Sequence, residues 1–109
     1  MMQYKAWEIW LVNVKFEDTF VVKRRPVLVV PDGHGSFLMV KMTKTGPRNE
    51  YEHRIAEWQA SGLSSETTIR TDKFLNPMAS DFLHKLGDLH PVDVTAFQTK
   101  LIIYLKKQG

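Results

Sequence analysis

The chain has 109 residues, 43% hydrophobic and 25% charged, with a formal net charge of +3 and no cysteine. These figures suit one modest core and exclude a disordered chain, a histone-like polycation, a disulfide framework and a thiolate zinc site. No apolar run reaches bilayer length and the first residues lack the apolar stretch of a signal peptide, so a cytoplasmic protein with no membrane association is expected.

From Glu8 to Phe16 the side chains alternate, with Trp10, Val12, Val14 and Phe16 on one side and Ile9 and Leu11 on the other. This predicts a first strand with one face buried and the other partly so. Residues 17–24 are polar-edged and predicted as a loop. Arg24-Arg25-Pro26-Val27-Leu28-Val29-Val30 follows. Proline restricts Arg25 to extended geometry, and the aliphatics behind it predict a buried strand, so a permanently charged guanidinium stands at the mouth of a rigid element. Pro31-Asp32-Gly33-His34-Gly35-Ser36 carries the turn residues of a hairpin. The next strand spans Phe37 to about Thr43, with Leu38, Val40 and Met42 toward the core and Phe37, Met39, Lys41 and Thr43 outward.

Gly46-Pro47 breaks that strand, and residues 44–64 carry no single periodicity, although Trp58 suits the core edge and Gly62 the end of any helical turn. The β-branched run Thr67-Thr68-Ile69 predicts a strand from Glu66 to about Leu75, closed by Pro77. Phe82 to Leu89 fits a short strand, although Phe82, Leu86 and Leu89 also stand at helical spacing. From Pro91 onward Val94, Phe97, Leu101 and Leu105 recur at helical intervals. Pro91 and Asp93 suit the amino end of a helix, and Lys106 and Lys107 its carboxyl end. The expected fold is α+β, mainly β: a small barrel of antiparallel strands with a C-terminal helix.

On a strand, residues two apart share a face, so Arg70 and Asp72 project together while Ile69 points inward. Taken alone, that pair reads first as a solvated strand face with a weak ion pair, since surface charges usually only solvate. In a sharper reading it lies beside the basic entrance of Lys23, Arg24 and Arg25. Cleaving a phosphodiester requires cations at the non-bridging oxygens and a group that accepts a proton, and these residues supply both. Thr43, next to Lys44 and on the side of Lys41, is either a simple strand former or a hydroxyl for a phosphate or base edge. His34, His53, His84 and His90 lie in four separate segments without ligand spacing, so no metal is expected. Trp7, Trp10 and Trp58 read as core, and Phe20 as the aromatic suited to stacking on a base.

Three blocks together resemble the MazF/PemK family of toxin–antitoxin ribonucleases. They are Trp7-Glu8-Ile9-Trp10-Leu11-Val12; Arg25-Pro26-Val27-Leu28-Val29-Val30 with Val40-Lys41-Met42-Thr43 after the hairpin; and Ile69-Arg70-Thr71-Asp72-Lys73. Their order and spacing agree over nearly the whole chain. The resemblance implies one domain over residues 1–109, an SH3-like barrel and a homodimer. It further implies metal-independent, sequence-specific cleavage of single-stranded RNA without a cofactor, and an antitoxin that covers the same groove. It assigns catalysis to Arg25, Thr43, Arg70 and Asp72. Around them the basic residues Lys23, Arg24, Lys41, Lys44 and Lys73, with the aromatic Phe20, are the expected RNA-binding set.

The loop Phe16-Glu17-Asp18-Thr19-Phe20-Val21-Val22-Lys23 has no counterpart of the PemK-branch histidine, and Lys73 stands where glutamine is common. The leaving-group acid is therefore missing from the motif set, with Lys23 the candidate if Arg24 and Arg25 depress its pKa. Two alternatives use the same barrel. One is a module that grips nucleic acid or peptide without cutting. The other is a gyrase-poison-type toxin acting through residues near Leu105 to Gly109.

Overall fold

The computed structural model describes residues 3–16 and 21–108. Alternation in the first segment produces β1 (Glu8–Phe16), and the Arg-Pro segment lies within β2 (Val21–Pro31). Then come β3 (Phe37–Thr43), a two-residue β4 (His53–Arg54), β5 (Thr68–Leu75), β6 (Phe82–Asp88) and the helix α1 (Pro91–Gln108). The strands form one antiparallel sheet in the order β4-β5-β3-β2-β1-β6.

The predicted loop over residues 17–24 ends sooner than expected. Val21 to Arg24 already pair with Phe16 to Asn13 of β1, because β-branched Val21 and Val22 favour the extended chain. Pro26 is tolerated in this interior strand for a local reason. Its β1 flank is paired at Leu11, but pairing with β3 begins only at Val27↔Lys41, so the missing N–H falls where the second ladder has not started. The hairpin after Pro31 is built as expected. Asp32 accepts hydrogen bonds from the His34 and Ser36 backbone N–H groups at 2.7 and 3.0 Å, and Gly33 and Gly35 adopt φ of +82° and +85°.

The core has two parts, one on each sheet face. Ile9, Leu28, Val30, Val40, Met42 and Ile69 meet Phe97 and Leu101 of α1, with Ile55 and Leu89 closing the sides. Fully burying side chains such as Phe97 or Ile9 contributes about 1.5–3 kcal/mol each. On the other face Val12, Val27, Val29, Met39 and Phe82 pack together beneath Tyr4 and Trp10. Met39 was expected to face out and is buried, because Tyr4 and Phe82 cover that face with rings stacked at 5.0 Å. Leu105 keeps the helical interval but is exposed, because the helix makes its buried contacts through Asp93, Phe97 and Leu101 and its last turn does not.

The expected barrel is corrected too. Among the described residues the ladder leaves two edges, β4 and β6, so the α+β architecture is an open sheet rather than a closed barrel. Two residues of β4 are too short to carry closure.

Residues 56–62 form turns, not a helix, and end at Gly62 with φ of +84°. Gly62 and Gly87 cross so closely that a Cβ on Gly62 would strike the Leu86 carbonyl, and one on Gly87 the Ser61 carbonyl. Gly87→Ala is expected to cost about 1–3 kcal/mol, as overpacking against rigid backbone does. Gly35→Asn, where a Cβ meets open space and the left-handed conformation suits asparagine, should stay within about 0.5 kcal/mol. Thermal unfolding midpoints of the two variants check this contrast.

Candidate functional site

Strand register gathers the cations. Val27 stands beside Lys41, so the two-residue pleat places Arg25 and Thr43 on the same face as that pair. On the far side Thr43 stands beside Thr68, two residues before Arg70. Pairing of β3 with β5 then skips from Met42↔Ile69 to Val40↔Phe74. Arg70, Thr71, Asp72 and Lys73 therefore bulge opposite the single residue Lys41. Lys41 is held below the ordinary lysine value of 10.5, first by burial and then by repulsion from Arg70, Arg25, Lys73 and Arg48. Five basic side chains thus share one field.

Three of the candidate side chains, Arg25, Thr43 and Arg70, have defined anchors. Arg25 Nη1 donates to the Arg24 carbonyl at 2.9 Å. Thr43 Oγ1 accepts the Thr45 N–H at 3.2 Å, which leaves its hydroxyl hydrogen to donate elsewhere. Arg70 Nε lies 2.9 Å from Glu52 Oε2, and the Arg70 side chain is only 11% exposed. The carboxylate of Glu52 is fully buried and also holds Arg48, through Nη2 at 3.2 Å and the backbone N–H at 2.9 Å.

The sequence pairs Arg70 with Asp72, but its ion-pair partner is Glu52. A turn capped by Asn49, whose Oδ1 accepts the Tyr51 and Glu52 N–H groups, carries that carboxylate in. Asp72 is half-buried, and its Oδ1 is shielded from solvent without a hydrogen-bond partner. Its neighbour Thr71 donates to the Tyr51 carbonyl, which fixes the bulge to the same turn.

Beside this field lies a cavity of about 530 Å³. Arg24, Arg25, Thr43 and Lys44 line it together with Ser64, Ser65 and Thr67, over apolar Pro26, Met42 and Leu63. The buried Ser65 Oγ has no hydrogen-bond partner. Arg25 and Thr43 therefore belong to both cavity and field, whereas Arg70 and Asp72 do not line the cavity. Lys23 is exposed on β2 opposite Val14, and Lys73 is exposed on β5. Phe20 lies outside the described residues.

Sequence reasoning missed Glu52 and a buried cluster behind it. Asp93 accepts the Ala56 and Glu57 N–H groups at 2.7 and 2.9 Å and the His53 ring at 2.8 Å. Lys100 Nζ lies 3.1 Å from His53 Nδ1, so Nδ1 accepts that proton and Nε2–H donates to Asp93. Burial would raise Asp93, but those three donors outweigh it and hold the carboxyl below its ordinary value. Burial also lowers His53, against the opposing pull of Asp93. This cluster joins α1 to the segment that delivers Glu52. The one available signal was the Arg48/Glu52 spacing of four residues.

No protein-family model matches the chain, and no curated protein matches it either. Among the described residues, no helix is long and apolar enough to cross a membrane.

Proposed function

We propose that this chain is a metal-independent endoribonuclease of the MazF/PemK type, the cytoplasmic toxin of a toxin–antitoxin pair, cutting single-stranded RNA at preferred sequences. The observation that supports this reading is the convergence of Arg25, Lys41, Thr43 and Arg70 on one sheet face, with Asp72 in the bulge beside them.

Asp72 takes the proton from the 2′-hydroxyl, whose oxygen attacks the adjacent phosphorus. Arg25 and the terminal nitrogens of Arg70 balance the charge gathering on the phosphorane oxygens, and the Thr43 hydroxyl donates to one of them. Lys41 gives a proton to the departing 5′-oxygen, filling the role that the sequence left to Lys23. The products are a 2′,3′-cyclic phosphate and a 5′-hydroxyl. Arg24, Lys44, Lys23 and Lys73 bind flanking phosphates, and the hydroxyl-lined cavity reads a base. A second copy packs on the exposed Val92, Ile102, Ile103 and Leu105 side of α1, and the antitoxin covers the cationic face.

RNA incubated with the protein in excess chelator should be cut and should carry cyclic phosphate ends. Asp72→Asn combined with Arg25→Ala should abolish that cleavage. Activity that needs added metal, or full activity in the double variant, would overturn the mechanism.

One observation favours a second reading. Glu52 engages Arg70 and one Asp72 oxygen is closed to solvent, as in a module that binds RNA without cutting it. That reading expects salt-dependent RNA binding, with a log–log slope near −0.7 per phosphate neutralised, and no cleavage by the parent protein.

A further inference from the structure

A second groove opens at the other end of the β3/β5 pair. It measures about 320 Å³ and is lined by Tyr4, Phe37, Phe74 and Pro77 together with Met39, Leu75 and Asn76. Phe37 and Phe74 are 38% and 41% exposed, which is unusual for rings with a packed core close by. Phe37 is nonetheless anchored. Tyr4 meets it edge-on at 5.5 Å, stacks on Phe82 at 5.0 Å, and Phe82 in turn meets Trp10 at 5.8 Å. An aromatic ladder rooted in the core thus holds an outer ring in place, so little order is lost when something stacks on it.

The groove is continuous with the cationic face. Phe37, Met39, Lys41 and Thr43 share one side of β3, while Phe74, paired with Val40, enters the groove from the other side of β5. From Phe37 to Thr43 the strand covers about 20 Å, at about 3.3 Å per residue. A chain that lays phosphates over Lys41, Lys73 and Arg25 can therefore bring an unpaired base to the rings within a few nucleotides. Stacking faces next to a basic track are how single strands are held without strict sequence choice.

We infer that the Tyr4/Phe37/Phe74 groove is a base-stacking subsite for the single-stranded RNA of the proposed function, several nucleotides from the scissile phosphate. This rests on that functional reading and adds to it a binding site outside the catalytic field. Because the rings carry no charge, the subsite raises affinity without altering salt dependence.

The test uses a 2′-O-methyl RNA of about ten nucleotides, which lacks the nucleophile, carrying 2-aminopurine near one end and then the other. The parent protein should bind it and quench one of the two labels. Phe37→Leu with Phe74→Leu keeps apolar volume but removes both rings. It should bind about tenfold more weakly, lose the quench and keep the parent salt slope. Phe37→Tyr with Phe74→Tyr should restore affinity and quench, which separates stacking from a folding defect. Unchanged affinity and quench in the double leucine variant, including a case where the groove takes an apolar peptide instead, would overturn the inference alone. If the parent neither binds nor cuts RNA, the functional reading falls with it.

Discussion

Replacing Lys41 by arginine is expected to leave RNA affinity nearly unchanged and to slow cleavage by about two to four orders of magnitude. Both side chains are cations, so the field that attracts phosphate survives. What disappears is a proton that can leave, since the guanidinium stays charged above about pH 12. The position is well suited to an acid. Burial and the surrounding Arg70, Arg25, Lys73 and Arg48 make the Lys41 ammonium readier to give up its proton than an ordinary lysine. Cleavage by the parent should therefore decline on the basic side at a pH below 10.5, the ordinary lysine value, as the acid form is lost. Residual cleavage in Lys41→Arg should lack that decline. Single-turnover rates across pH, with binding measured separately on uncleavable RNA, check both expectations. Equal rates for parent and variant would remove Lys41 from the mechanism.

The largest stability effect should come from Asp93, a residue remote from the cationic face. Asp93→Ala removes the acceptor for the Ala56 N–H, the Glu57 N–H and the His53 ring at once. Leaving buried donors without their acceptor in this way costs about 1–3 kcal/mol for each, a large share of the roughly 5–15 kcal/mol that holds a typical domain. Urea midpoints should fall accordingly. The same cluster dictates the pH profile. The folded His53 value lies below 6.5, so the unfolded chain takes up its proton first, and stability declines as pH falls from 6.5 to the folded value. Folded Asp93 lies below 3.8, so its contribution is intact above that value and disappears as pH falls through the folded one. His53→Gln should remove the decline that begins near pH 6.5 and leave the acid limb. Urea titrations from neutral to acidic pH distinguish the two steps.

Most of the framework was legible because it depends on short-range pattern. Alternation located β1 and β3, the Asp-Gly-His-Gly turn located the hairpin, and helical spacing located α1 at Pro91. Errors arose where a distant segment decides the outcome. Met39 is buried because Tyr4 and Phe82 cover it, and no local pattern announces a cover delivered from elsewhere in the chain. Leu105 keeps the helical period but its turn makes no core contact. The site divided along the same line. Arg25, Thr43, Arg70 and Asp72 could be named from strand parity and the family resemblance. Glu52 could not, since it lies in a turn without periodicity and reaches Arg70 only in three dimensions. Lys41 was legible as a cation, but its altered acidity comes first from burial and then from four cations on other segments.

The bulge in β5 separates two kinds of change that are normally bound together. In a regular ladder, lengthening or shortening a strand by one residue flips every later side chain to the opposite face. Here Ile69 and Phe74 are pinned to Met42 and Val40 on either side, while the residues between them are surplus to the pairing. A laboratory library that varies length and composition at Asp72 and Lys73, leaving the anchored Thr71 in place, would therefore sample new placements of these side chains on an unaltered scaffold. This stretch is the natural entry point for reshaping the cationic face.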